Sequence, residues 1–178
     1  MADPLPPATG ASPFVIVPLG DAHDRSGFTC DVEALDRYFA TQVTQDIRRR
    51  VAACFVSVER GSSAVFGFYT ISTSSLPLSD LPLALTKKLP RYPLVPAVRI
   101  GRLAVATGHR SKGIGAGLLI DGIARAFRAE ILAYAMVVDA KDAAAVAFYA
   151  QHGFVAFASA PMTLHLPLAE AGKQMGLA

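Results

Sequence analysis

A basic, glycine-bearing turn between an apolar strand and an amphipathic helix constrains this chain more than any other stretch. It lies in IGRLAVATGHRSKGIGAGLLIDGIARAF, residues 100–127. Ile100 to Val105 is apolar and branched enough for the core of a strand. From Ile114 a helical stripe runs through Leu118, Leu119, Gly122, Ile123, Ala126 and Phe127, with Asp121, Arg125 and Arg128 facing out. Between them, RSKGIG (Arg110 to Gly115) places unpaired backbone N–H groups at the positive end of a helix, ready for an anion. Gly113 and Gly115 carry no Cβ, so the backbone can come close to that anion. The phosphates of a nucleotide-like cofactor fit this description. An ordinary capped turn has the same sequence, and the stretch alone leaves both readings open.

Around this unit the chain reads as one α/β domain over residues 13–167, with a loose Pro- and Gly-rich tail at 1–12 and an unassigned C-terminal tail at 168–178. Phe14 to Val17 is a short strand. Asp31 is a plausible N-cap for a helix carrying Leu35, Tyr38, Phe39 and Val43, continuing to Arg48. Val51 to Val58 and Ala64 to Ser72 form a hairpin turned at Gly61. Pro77 and Pro82 break the chain around a short helix at Leu83 to Leu89, and Pro90, Pro93 and Pro96 stiffen the path into the central strand, Val98 to Val105. Ile131 to Val138 is a second apolar strand. Strand, helix, strand at this spacing predicts a parallel pair. Asp139 or Asp142 caps a short helix through Tyr149, ended by Gly153, and Phe154 to Leu166 is a last strand bent near Pro161.

The 178 residues are 52% hydrophobic, which excludes general disorder and allows one sizeable core. No apolar run is long enough for a membrane span, and the first residues lack the basic and apolar regions of a signal peptide, so a cytoplasmic location is expected. Two cysteines, Cys30 and Cys54, are too few for a disulfide scaffold or a cysteine metal site, and no histidine is assigned to metal. The net charge of +3 is unevenly spread. Lys87, Lys88, Arg91, Arg99, Arg102, Arg110 and Lys112 fall between Leu81 and Ile120 without a single Asp or Glu, and Arg48, Arg49 and Arg50 form a second cluster. Such a tract suits an anionic partner larger than one phosphate, nucleic acid included, or simply a solvated face.

GRLAV at Gly101 to Val105, RSKGIG, and DAKDAAAVAFYAQHGF at Asp139 to Phe154 together resemble the GNAT acyl-CoA N-acyltransferases. The resemblance covers nearly all of the chain from Phe14 to Leu166. It is closer still to the GNAT toxins of type II toxin–antitoxin pairs, through Phe28-x-Cys30, Leu35-Asp36-x-Tyr38-Phe39, Gln45-Asp46, Gly67-Phe68-Tyr69-Thr70 and Leu89-Pro90-Arg91-Tyr92-Pro93. The resemblance implies a mixed, mostly antiparallel sheet splayed at one parallel pair and flanked by helices. It implies acetyl-CoA as cofactor and the α-amine of an aminoacyl-tRNA as acceptor, with acetylation blocking translation. A small ribbon-helix-helix antitoxin and a homodimer are the implied partners. Two positions depart from the pattern: Ala106 and Thr107 stand where many of the branch have Asp, and Asp142 where the wider family often has Asn.

By that resemblance the pantetheine arm pairs with backbone near Leu103, Ala104 and Val105, and the N–H of Val105 bonds the thioester oxygen. The loop Arg110, Ser111, Lys112, Gly113, Ile114, Gly115, Ala116 holds the pyrophosphate, with charge from Arg110 or Lys112. Asp142 lies near the pantetheine arm or the helix start. Tyr149 is the general acid for the departing thiolate, since a phenol with pKa near 10 keeps its proton at neutral pH. No general base is evident, and an α-amine titrating near 8 has little need of one. Arg48, Arg49, Arg50, Lys87, Lys88 and Arg91 are the candidates for the tRNA backbone, with Tyr92 available to stack on a base. The rival readings are acetylation of a small-molecule or protein amine, against which the basic tract weighs, and a non-catalytic acyl-CoA-binding module.

Overall fold

The computed structural model describes residues 13–177, so the expected tail at 1–12 lies outside the described residues. Seven strands form one sheet in the order β1-β2-β3-β4-β5-β7-β6. They are β1 (Phe14–Pro18), β2 (Ala53–Glu59), β3 (Val65–Pro77), β4 (Leu94–Val105), β5 (Ala135–Asp139), β6 (Val155–Phe157) and β7 (Ala160–Pro167). All neighbours are antiparallel except β4 and β5, the parallel pair that the strand–helix–strand spacing predicts. The helices are α1 (Glu33–Thr41), α2 (Val43–Arg48), α3 (Leu83–Thr86), α4 (Ile114–Phe127), α5 (Ala143–Gln151) and α6 (Leu168–Gln174).

The sheet is covered on both faces, which is why its strands read as apolar runs. On one face α4 packs its predicted stripe on β3 and β4. Gly122 sits against Tyr69 and Ile100, and a Cβ on Gly67 would come within 2.9 Å of Leu118. The buried Tyr69 hydroxyl donates to Asp121 on α4 at 2.7 Å, and Arg125 Nε donates to the same oxygen while its guanidinium stacks on Phe55. On the opposite face α1 and α2 bury Tyr38, Phe39 and Val43 against Val56, Phe68 and Ala104.

Several expectations are corrected. The first helix is interrupted at Gln42, and Asp31 is not its cap. Asp31 has φ 59°, Val32 is the N-cap, and Asp36 organises the entry by accepting from the Cys30 N–H and the Thr29 hydroxyl. The central helix begins at Ile114, with Gly113 as its N-cap. The strand expected from Ile131 begins only at Ala135; Ile131 and Leu132 are 85% and 77% exposed beside an open groove of about 380 Å³. The last strand is two, β6 and β7. The supposed C-terminal tail folds into α6, which buries Leu168 and Ala171 and brings Gly172 onto Phe127 of α4.

Candidate active site

The site begins with one extra residue in β4. The β3–β4 ladder pairs Ile71 with Ile100 and Thr70 with Arg102, leaving Gly101 as a bulge. A bulge bends its strand and increases the local twist. Pairing between β4 and β5 ends there, since the parallel register runs only from Ala97↔Ala135 to Ile100↔Val138. Beyond it β4 keeps β3 on one side and has an open wedge on the other. Gly101, although in the middle strand of seven, is exposed.

Backbone direction along the open half follows from one bond. The Ala106 N–H donates to Phe66 on the β3 side, so alternation sends the groups of Ala104 toward β3 and those of Leu103 and Val105 into the wedge. The backbone of Ala104 serves β3, and its side chain is buried on the α1 face.

The turn after β4 is built to expose N–H groups. Ser111 has φ 61° and Gly113 has φ 78° as the N-cap of α4. The first helical bond is Gly117 N–H to Gly113 C=O, so Ile114, Gly115 and Ala116 keep N–H groups without an intrahelical acceptor. A Cβ at Gly113 would meet nothing within 4 Å, so the space above the turn is open. Lys112 is exposed and has no ion-pair partner among the described residues. Arg110 behaves otherwise. Its guanidinium donates to the Cys30 carbonyl and lies 3.6 Å from Asp31, tying the turn to the entry of α1. Thr107 adds a backbone bond to Thr29 C=O at 2.9 Å.

Across the wedge stands α5. Asp142 caps it, accepting from the Ala145 N–H at 2.8 Å, and that bond together with Lys141 holds the carboxyl below its ordinary range. Its role is at the helix start. Tyr149 is buried among Phe148 and Phe154, and its hydroxyl has no protein partner among the described residues. Burial first, and the charge of Asp139 second, push its pKa up to about 12. Gly115 approaches both Val105 and Phe148, so the turn, the open half of β4 and α5 converge.

A family model described as acetyltransferase (GNAT) family matches residues 30–154. The chain belongs to the GNAT acetyltransferases. A curated relative from Sinorhizobium fredii, named "Probable toxin TacT", is 29% identical over 178 residues, covering 94% of this chain and 98% of its own. The "tRNA-acetylating toxin" of Mycobacterium tuberculosis is 29% identical over 160 residues, covering 89% and 94%. Among solved structures, AtaT complexed with acetyl-methionyl-tRNAfMet superimposes with a TM-score of 0.82 at 25% identity, covering 92% of this chain and 98% of that one. The coenzyme of this GNAT enzyme is acetyl-CoA, and the residues present fit it: an open, uncapped N–H cradle for the diphosphate, and a strand edge with unpaired N–H groups for the arm.

The basic residues lie elsewhere and apart. Arg48 ends α2, and Arg49 and Arg50 form the following turn, where Arg50 lines a groove with Ser72 and Thr73 of β3. Lys87, Lys88, Arg91 and Tyr92 occupy the α3–β4 connection, beyond the Pro77 end of β3. Five residues of strand, roughly 15 Å, separate the two groups. All seven side chains are exposed, Tyr92 by 67%, and the six cations form no ion pair among the described residues. A further cluster escaped the sequence reading. Tyr38 donates to Asp46 at 2.9 Å and carries the Arg102 guanidinium over its ring. In the sequence its members stand in three separate stretches, Tyr38 and Asp46 among the residues that carry the family resemblance and Arg102 in the basic tract, with nothing to join them.

Proposed function

We propose that this protein is the toxin of a toxin–antitoxin pair and transfers acetyl from acetyl-CoA to the α-amine of aminoacyl-tRNA, thereby stopping translation. The observation that carries the reading is the open half of β4 together with α5, whose Phe148 meets Gly115 beside Val105 and whose buried Tyr149 hydroxyl has no protein partner among the described residues. The relatives named above are toxins or act on tRNA, and the exposed, unpaired cations suit a phosphate backbone.

Acetyl-CoA supplies the acetyl group as an activated thioester. The N–H groups of Ile114, Gly115 and Ala116, with Lys112, would hold the diphosphate, while Arg110 keeps the turn in shape from behind. The Val105 N–H would bond the thioester oxygen, an interaction worth roughly 3 kcal/mol where charge develops. Tyr149 Oη keeps its proton at neutral pH and delivers it to the departing sulfur. The α-amine arrives partly neutral, the proton it sheds as the amide forms passes to water, and the Tyr149 phenolate regains a proton from solvent.

Arg48, Arg49, Arg50, Lys87, Lys88 and Arg91 position the tRNA, with Tyr92 stacking near the acceptor end. A ribbon-helix-helix antitoxin, a homodimer and a cytoplasmic location complete the proposal. Incubation with labelled acetyl-CoA and total charged tRNA tests it, with acetylated aminoacyl-tRNA the expected product and no labelled tRNA the outcome that overturns it. Tyr149→Phe should lower kcat by about 100-fold or more while calorimetry shows unchanged acetyl-CoA affinity; activity within a few fold of the parent removes Tyr149 from the mechanism.

A further inference from the structure

Arg102 is a half-buried arginine whose guanidinium makes no hydrogen bond or ion pair with any described residue. The comparable arginines are all satisfied. Arg25 donates to Phe39 C=O, Arg99 pairs with Asp139, and Arg125 with Asp121. What holds Arg102 is a face, 3.5 Å from the centroid of the Tyr38 ring. Tyr38 itself is 3% exposed and fixed by its bond to Asp46. Stacking engages the flat side of a guanidinium and leaves its five N–H donors free in the plane. A partly desolvated cation fixed this way gains a charge-assisted, bidentate pair when an oxyanion arrives, with little side-chain freedom left to lose.

Its position tells which anion. Arg102 follows the Gly101 bulge and precedes Leu103, on the open half of β4. It projects to the face of Tyr38 and Ala104, opposite to the one that carries α4 and Tyr149. The diphosphate turn opens α4, so the coenzyme is gripped from the α4 side. An amine approaching the same wedge from the free side passes Arg102 on its way. In a charged tRNA the last phosphodiester lies one nucleotide from the amino acid, within a single strand that a lone cation can reach.

We infer that Arg102, clamped on Tyr38, is a phosphate subsite that takes the terminal phosphodiester of the acceptor and so sets the amine at the mouth of the wedge. This rests on the aminoacyl-tRNA reading above and adds to it the group that recognises the acceptor's end.

The test compares two minimal acceptors, 3′-aminoacylamino-3′-deoxyadenosine with and without a 5′-phosphate, bearing the amino acid identified with total charged tRNA. For the parent enzyme the 5′-phosphate should lower KM about 10-fold or more, as a charge-assisted pair does. Arg102→Ala should abolish that advantage while leaving KM for the unphosphorylated acceptor and calorimetric acetyl-CoA affinity within about twofold. Arg102→Lys, which keeps charge and bulk but not the fork, should retain part of it. With charged tRNA, Arg102→Ala should flatten the log–log salt dependence of binding by about 0.7, one single-strand phosphate contact. If the 5′-phosphate gives the parent no advantage, or Arg102→Ala and Arg102→Lys weaken both acceptors equally, the subsite is overturned. A parent enzyme that acetylates no charged tRNA at all overturns the functional reading first, and this inference with it.

Discussion

The two halves of β4 share a strand and a partner in β3, yet they differ in their second edge. From Ala97 to Ile100 the strand is paired on both sides. Past the bulge at Gly101 it is paired on one, and its second edge is open. A single additional residue thus turns the end of a core strand into a row of free N–H donors, and the same sequence character, apolar and branched, serves both halves. A functional edge inside a sheet requires that the neighbour leave, and here the backbone supplies the reason.

The sharpest way to break this comparison is to delete Gly101. The flanking pairs Ile71–Ile100 and Thr70–Arg102 would then become consecutive, so side chains keep their faces while the bend is lost. The protein should fold with an unchanged or higher Tm, and kcat/KM for acetyl-CoA should fall at least ~100-fold as the wedge closes. Retained activity would mean that the bulge does not open it. A pH profile sharpens the comparison by asking which group limits the open half. Tyr149 has a raised pKa, so its protonated, proton-donating form persists up to about pH 12. The rate should therefore rise about tenfold per unit toward pH 8, where the acceptor amine loses its proton, and stay level to pH 10. A decline between pH 8 and 10 in kcat would implicate another acid. The smallest effect belongs to the connection that enters the paired half. Lys87→Ala with Lys88→Ala should raise KM for charged tRNA on the order of fivefold and leave KM for acetyl-CoA alone; equal changes would reassign these lysines.

The turn is legible in the sequence, because Gly113, Ile114 and Gly115 take up a local geometry that strand–turn–helix spacing encodes, whereas Tyr149 is singled out only by the resemblance to the family. Arg110 is not, since a basic residue beside a phosphate turn has the same sequence whether it faces the ligand or braces the loop, and only Cys30 and Asp31, eighty residues away, decide. The β-bulge is hidden for a similar reason: Gly101 in an apolar strand is read as one more strand residue until the partner's register is known. Ile131 and Leu132 mimic a strand because periodicity cannot distinguish an exposed apolar pair from a buried one. Helix α6 was obscured by Gly172, a poor helix former kept where a Cβ would lie 2.2 Å from Phe127.

The close fit of Gly172 on Phe127 has a mechanical consequence. Only four residue pairs join β4 to β5, so strands β5 to β7 hang from the rest of the sheet by a short seam. The last helix leaves β7 and crosses back to α4, joining the far half of the sheet to the helix that the glycine-bearing turn opens. Strands β5 to β7 are therefore held to the rest of the molecule at two places, the β4–β5 seam and the packing of α6 on α4, and a side chain at position 172 would strain the second while leaving the first intact.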